Sequence, residues 1–418
     1  MKLHWQIAIA LLAAIIVGAA VGDAPWFIEA TSFIGTLFLN GLKMLIVPLI
    51  VGAMINAILG LSADSGSISR IGGKAAVFFA GTTLVSVLTG LVLLNLIEPG
   101  VIDGEPAGDR LGLSADTDRV LASVENRGSG DLFAVLLRMV PPNLIEAAVK
   151  TEMLALIFFS LLYGYFASRL PEPMAATQRS FWGGLYEVMI RITGWVMRFA
   201  PIGVFALVGR TVAQTGWGAL EPLLLFFACV LAGLLIQTFV WLPLLLRAFS
   251  IAPRRYLQAM APVLLTAFST SSSAATLPVS IDNVKRAGVP DGIAGFVLPL
   301  GATVNMNGTA LYECAAAIFI AQAYGLELSL VAQFTIVLLA LLTSIGVAGI
   351  PSASLVAIAV ILSAVGLPLE GVGLILAVDR ILDMCRTAVN VFGDTVCAAI
   401  IARLEGEPVL TRAEPPAG

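Results

Sequence analysis

The residues whose types could do chemistry crowd into a few stretches. In "AVDRILDMCRTAVNVFGDTVCAAI", which begins at Ala377, the polar positions Asp379, Asp383, Arg386, Thr387, Asn390 and Asp394 succeed one another at spacings of 4, 3, 1, 3 and 4. At about 100° per residue they form one polar stripe on an otherwise apolar helix. In "LGATVNMNGTALYECAAAIFIA", from Leu300, Asn305, Asn307, Thr309 and Glu313 stand where a membrane helix would hold leucine. A charged side chain at the bilayer centre costs roughly 2.5–3.5 kcal/mol even on the lenient insertion scale. Several on one helix must therefore face protein, water or a ligand.

Arg386 offers a fork of donors suited to a carboxylate, and Asp383 can accept an ammonium. Opposite charges one helical turn apart match a zwitterion that carries an additional acid group. The competing reading is an ion-pair network, Asp383 with Arg386, that only locks helices together. The tract "STSSSAATLP", from Ser269, is flanked by apolar residues. It reads either as a linker or as a re-entrant tip whose hydroxyls and free amides bind a substrate carboxylate, as helix N-termini do. Asn305 and Asp394, with backbone carbonyls near Gly301 and Thr303, supply the oxygen ligands that hard cations favour. They make a sodium site if Asp394 approaches Asn305, which spacing leaves open.

These groups need a membrane scaffold. Of the 418 residues 59% are hydrophobic and only 12% charged, against about 25% in soluble domains. Mean hydropathy is +0.97. The chain is an all-α polytopic membrane protein. A net charge of −4 offers nothing to nucleic acid. Cys229, Cys314, Cys385 and Cys397 lie in apolar segments without metal-ligand spacing and read as small core residues. The single histidine, His4, argues against zinc, haem or serine-triad chemistry.

A span needs about 20 apolar residues. The candidates are Ile7–Val21, read as a helix rather than a signal peptide, then Ile34–Leu59, Ala75–Ile97, Leu154–Phe166, Met189–Val208 and Leu223–Leu246. An acidic, turn-rich loop runs from Glu98 to Gly130, and Pro141 and Pro142 interrupt the segment after it. Lysine and arginine gather at Arg70, Lys74, Arg169, Arg179 and Arg247–Arg255, which predicts a cytoplasmic N-terminus. Beyond Arg255 the apolar runs are broken by small and polar residues. Interrupted backbone at membrane depth survives only inside protein or beside a polar cavity. The pattern predicts re-entrant hairpins near Thr266–Pro278 and Thr343–Val356, and a helix unwound near Asn305.

Together "LKMLIVPLI", "APIGVFAL", the serine-rich tip, "LPLGATVNMNGTALYE", "SIGVAGIPSAS" and "DMCRTAVNVFGD" resemble the dicarboxylate/amino acid:cation symporter family in its motif order. That family includes the excitatory glutamate transporters and their prokaryotic homologues. The resemblance implies a homotrimer with eight transmembrane helices and two re-entrant hairpins per protomer. It divides the chain into scaffold (1–68 and 98–213) and elevator-type transport domain (69–97 and 214–408), with a tail at 409–418. The second hairpin acts as gate.

Residue by residue, the resemblance gives Arg386 the selection of an acidic side chain and Asp383 the amino group. Ser273, Thr309, Thr387 and Asn390 match further substrate contacts, and main-chain groups near Ser271, Ile350 and Ser354 match hairpin contacts. Gly301, Asn305, Asn390 and Asp394 match one sodium site. Thr303, Ser344, Ile345 and Val347 match a second, built largely from carbonyls. A third departs from the pattern: Thr82 and Thr83 are kept, but Phe79 replaces a frequent tyrosine and Asn307 replaces the aspartate of "NMDGT". Loss of that carboxylate removes the charge offsetting a buried cation, so this site is expected to be lost or severely weakened. Glu313 matches the glutamate of proton-cotransporting relatives, and desolvation favours the neutral form of a buried carboxyl. The arginine that members carry at the serine-rich tip or beside the substrate arginine is absent, those positions being Ser271 and Met384.

The resulting expectation is a secondary active symporter for L-glutamate or L-aspartate in the cell (inner/plasma) membrane. It would use H+ and/or Na+ as co-transported ions, no covalent cofactor, and no nucleic-acid partner. The alternatives are a sodium-coupled carrier of acidic or neutral amino acids with a structural Glu313, a channel-like anion conductor, and an intramembrane enzyme. The last lacks a base beside its serines.

Overall fold

The computed structural model describes residues 3–61, 67–111, 113, 137, 139–150, 152–215, 220–344, 354–369 and 371–410. The chain opens with three helices: α1 (Leu3–Val21), α2 (Pro25–Leu61) and α3 (Ser67–Ile97). A two-stranded antiparallel ribbon comes next, Val101–Ile102 with Glu105–Pro106. Its turn needs positive φ at Asp103 and Gly104, and the sequence reading had this segment only as loop. Most of the acidic loop lies outside the described residues. Asn143 then starts the short α4 (Leu144–Val149), its side-chain oxygen accepting from the amides of Ile145 and Glu146.

Helices α5 (Met153–Ala167), α6 (Glu172–Met197) and α7 (Ala200–Thr215) pack with α1 and α2. The single span expected over Met189–Val208 is not one helix. The chain turns at Arg198 and Phe199, and the axes on either side differ by 52°. A signal was present, since Arg198 and Pro201 interrupt the apolar run at the junction. Glycine sets the spacing in this group. A Cβ at Gly18 would lie 2.6 Å from the Gly209 carbonyl, and one at Gly203 would lie 2.5 Å from the Phe38 ring. Small residues let membrane helices approach where no hydrophobic force drives them together.

The remaining elements pack on α3 or on the last helix of the chain. They are α8 (Leu220–Ile236), a π-helical turn (Gln237–Trp241), α9 (Leu242–Ala248), α10 (Pro253–Thr270), α11 (Ser273–Arg286), α12 (Asp291–Val304), α13 (Asn307–Ala323), α14 (Leu330–Ser344), α15 (Ser354–Val365) and α16 (Gly371–Leu404). Two helix pairs, α10 with α11 and α14 with α15, pack as hairpins where re-entrant segments are expected. The tip of the second lies outside the described residues. The expected unwinding near Asn305 is present: α12 stops at Val304, Asn305 is extended and Met306 is non-helical (φ −122°, ψ 56°) before α13 begins.

Among the described residues, Ile71–Ile97, Glu221–Ala248 and Val378–Leu404 are each long and apolar enough to cross a bilayer, and the bent pair α6–α7 makes a fourth if counted as one. The three differ in surroundings. The last is 83% buried within the protein, against 39% and 44% for the other two. It is the interior helix, and it carries the polar stripe. α13, packed between α3 and α16, buries every residue except Gln322.

The glycine contacts give a stability test. Gly203→Val should destabilise the detergent-solubilised protein by about 1–3 kcal/mol, the cost of overpacking a filled interface. Gly194→Ala, with nothing within 4 Å of its new Cβ, should leave the midpoint unchanged. Thermal unfolding followed by size-exclusion chromatography checks both.

Candidate functional site

The first hairpin builds its tip from backbone geometry. Ser271 ends α10 in the left-handed conformation, φ 49° and ψ 39°, its amide bonded to the Ala267 carbonyl. A non-glycine residue there is uncommon. Ser272 then caps α11, its hydroxyl accepting from the Ala275 amide at 3.2 Å. The turn leaves the Ser271 hydroxyl buried with no protein partner among the described residues. Ser273 is buried two positions further on. Ser354, at the start of α15 in the other hairpin, is also buried with its hydroxyl unpartnered.

The break between α12 and α13 is held open by the last helix. α13 begins after Met306, a residue with no side chain that can cap a helix. The cap comes from elsewhere: Asn390 Oδ1 accepts from the Gly308 amide at 2.8 Å, and its Nδ2 donates to Thr309 Oγ1 at 3.0 Å. One turn on, Asp394 Oδ1 accepts from Asn305 Nδ2 at 2.8 Å. The approach on which the sodium reading depended is therefore made. A Cβ on Gly301 would collide with the Asp394 carboxylate, so only glycine lets α12 come this close. Asn305 Oδ1 stays buried and accepts no hydrogen bond from the described residues. With Asp394 and the nearby carbonyls it forms an oxygen donor set suited to a hard cation.

The second expected cation set is only partly visible. Thr303 is exposed, its hydroxyl turned back to the Leu300 carbonyl at 2.8 Å. Ser344 is buried and bonds the Leu341 carbonyl. Ile345, Val347 and Ile350 lie outside the described residues. At the third set Phe79, Thr82, Thr83 and Asn307 are all buried. Thr82 spends its hydroxyl on the Phe78 carbonyl at 2.9 Å. Both side-chain polar atoms of Asn307 lack a partner among the described residues. Sequence reasoning missed two neighbours here: Ser86, which donates to the Asn307 carbonyl at 2.9 Å, and buried Gln237, which donates to the Thr82 carbonyl at 3.4 Å. Buried polar residues in apolar spans were the available signal.

On α16 the stripe is buried throughout, with Arg386 at 1% exposure. Arg386 Nη2 donates to Asp383 Oδ1 at 2.9 Å and to Asp379 Oδ1 at 3.1 Å. Its guanidinium carbon lies 3.9 Å from the centre of the Tyr312 ring, a cation–π contact. Its Nε and Nη1 remain buried without partners among the described residues. Thr387 bonds back to the Asp383 carbonyl at 2.8 Å. The ion-pair reading of Asp383 and Arg386 thus holds for this state, and it leaves two donors unspent. Next to the helix break, Glu313 is fully buried and Oε2 accepts from Thr343 at 2.8 Å, at the end of the first arm of the second hairpin. The sequence reading placed Thr343 at the start of that hairpin but not as the partner of Glu313.

Neither Ser271 nor Met384 carries the second arginine, yet the site does have a second guanidinium: Arg380 Nη1 donates to Asp383 Oδ2 at 3.2 Å. On the helical wheel Arg380 falls just beside the stripe, about 20° past Thr387, so the signal was present.

Broken helices, paired helical hairpins and buried opposite charges on an interior helix define a membrane transport protein. Residues 3–404 match the sodium:dicarboxylate symporter family, and the chain belongs to it. It is a transporter and not an enzyme. It is 35% identical to the proton/glutamate-aspartate symporter of Escherichia coli (strain K12), over 97% of this chain and 93% of the relative. It is 34% identical to the proton/sodium-glutamate symport protein of Geobacillus stearothermophilus, over 97% and 95%. It is 35% identical to excitatory amino acid transporter 3 of Mus musculus, over 96% and 86%.

The collision at Gly301 yields a test. Gly301→Ala should part Asn305 from Asp394 and weaken transport at least about tenfold, a loss of roughly 1.4 kcal/mol. Uptake by proteoliposomes checks this, with a size-exclusion profile to show that the variant is folded.

Proposed function

We propose that this chain is a secondary active symporter for the acidic amino acids L-glutamate and L-aspartate, coupled to protons. The carrying observation is Arg386: a fully buried guanidinium with two unspent donors beside Asp383. Buried donors without acceptors cost about 1–3 kcal/mol each, and a carboxylate on the substrate removes that cost. Asp383 serves the substrate ammonium, which a plain dicarboxylate lacks. Ser271, Ser273, Thr309, Ile350, Ser354, Thr387 and Asn390 complete the substrate's surroundings in this reading. The printed names of the Escherichia coli and Geobacillus relatives agree with the substrate class.

Glu313 is the proton carrier in this proposal. Its burial beside the broken helix, and its bond to the arm of the second hairpin, support a coupling between protonation and that gate. Asn307 leaves the third sodium site without a carboxylate, so that site is lost or severely weakened. The sets around Asn305–Asp394 and around Thr303, Ser344, Ile345 and Val347 are where sodium would bind if it is still used. The same Thr343–Glu313 bond favours one alternative, a sodium-coupled carrier in which Glu313 is structural.

The working unit in this proposal is a homotrimer in the plasma membrane with cytoplasmic N-termini. The scaffold is 1–68 and 98–213, and the elevator domain is 69–97 and 214–408. The packing of α1, α2 and α5–α7 is denser within that group than against α15 and α16, which supports that division.

Proteoliposomes carrying a pH gradient or a sodium gradient separately test the coupling. An outside-acid gradient without sodium should drive L-glutamate and L-aspartate uptake, and Glu313→Gln should abolish it. Uptake that needs only sodium and ignores Glu313→Gln would sink the proton assignment. Arg386→Ala should cut uptake of both acids on the order of a hundredfold, the scale for losing one partner of a buried charge pair. An unchanged apparent affinity in that variant would remove the substrate assignment.

A further inference from the structure

Asp383 is held by two cations, and the acidic-substrate reading uses only one of them. Arg386 takes Oδ1 and Arg380 takes Oδ2, at 2.9 and 3.2 Å. Both carboxylate oxygens that would receive a substrate ammonium are therefore engaged by guanidinium groups. Asp379, Asp383, Arg380 and Arg386 together carry no net formal charge. An ammonium arriving at Asp383 adds a positive charge to a buried cluster, which is costly unless another cation withdraws.

The two arginines are not equally able to withdraw. Arg386 has a side-chain exposure of 1%, shares its Nη2 with Asp379, and is stacked on Tyr312. Arg380 sits at the edge of the stripe with 15% side-chain exposure. Its side chain is thus the less enclosed of the two, and long cationic side chains prefer to keep their charge in solvent. We propose that Arg380 is the exchangeable counter-cation of Asp383. It occupies the ammonium position while the site is empty and yields it when an amino acid binds. This rests on the acidic amino acid reading above.

One ion pair then has two opposite effects. Arg380 competes with the substrate ammonium and so weakens apparent affinity. It also neutralises Asp383 during the return of the empty site, when an uncompensated buried carboxylate would be costly. Arg380 acts through Asp383 and is a positioning residue. A dicarboxylate without an amino group, such as succinate, leaves the Arg380–Asp383 pair intact and gains nothing from its removal.

The test uses full-length protein in proteoliposomes. It measures the KM for L-aspartate, inhibition of that uptake by succinate, and net uptake against aspartate–aspartate exchange. Arg380→Gln should lower the KM on the order of tenfold, the scale of one part-buried ion pair. Succinate inhibition should not strengthen, and net uptake should fall relative to exchange. Arg380→Lys, which keeps the charge, should restore the net-to-exchange ratio. Arg380→Met gives the same reading should the glutamine variant fail to fold. A KM that is unchanged or raised in the neutral variants, or that moves in step with succinate, overturns the inference. Wild-type protein with no saturable L-aspartate uptake would overturn the acidic-substrate reading itself, whereas normal wild-type uptake with an indifferent Arg380 overturns this inference alone.

Discussion

A guanidinium buried to 1% exposure must be offset by carboxylates, and much of the second half of this chain is arranged around Arg386. Asp383 and Asp379, one and two turns earlier on the same helix, take one of its nitrogens, and Tyr312 from α13 covers its face. That arrangement requires α16 to be enclosed by protein along its length, because none of these charges can face lipid. Its 83% burial meets the requirement, while α3 and the α8–α9 helix keep lipid-facing sides. The ion-pair cluster and the interior position of α16 are two aspects of one constraint.

The broken helix depends on the same enclosure. A free α13 N-terminus after Met306 would leave amides unsatisfied at membrane depth, where each costs several kcal/mol. Asn390 supplies the acceptor and Asp394 holds Asn305, so two residues of the stripe fix the backbone of another helix. Gly301 and Gly308 permit the closeness: a side chain at either would run into Asp394 or into the Arg386 backbone. The charges proposed to face substrate and the oxygens proposed to face a cation therefore share one helix as their support, which gives a physical path for binding at one to be felt at the other.

Family membership also frames the departures. Asn307, the neutral amide that the resemblance sets in place of a carboxylate, has no partner for its polar side-chain atoms among the described residues, nor has the Oε1 of Gln237. The charge missing from the expected arginine positions reappears at Arg380, against Asp383. Both changes alter the charge balance of the buried site while leaving its helices in register, so they bear on coupling rather than on fold.

The sequence alone determined the membrane class, the polar stripe, the interrupted segments and the motif order, because burying charge in lipid is forbidden and period and composition expose that directly. It indicated the unwinding at Asn305, but not what stabilises it, since the capping acceptor comes from a residue 82 positions away. It missed the bend at Arg198–Phe199, because the apolar runs on either side were read as one span across Arg198 and Pro201, and the roles of Tyr312, Thr343, Ser86 and Gln237, which are single buried residues with no local pattern. Arg380 stood at the edge of the stripe in plain view, but whether it turned toward Asp383 or outward was a matter of side-chain direction. Pairings across helices and the choice of partner for each buried charge belong to the tertiary structure, because they depend on which faces meet and not on what each face contains.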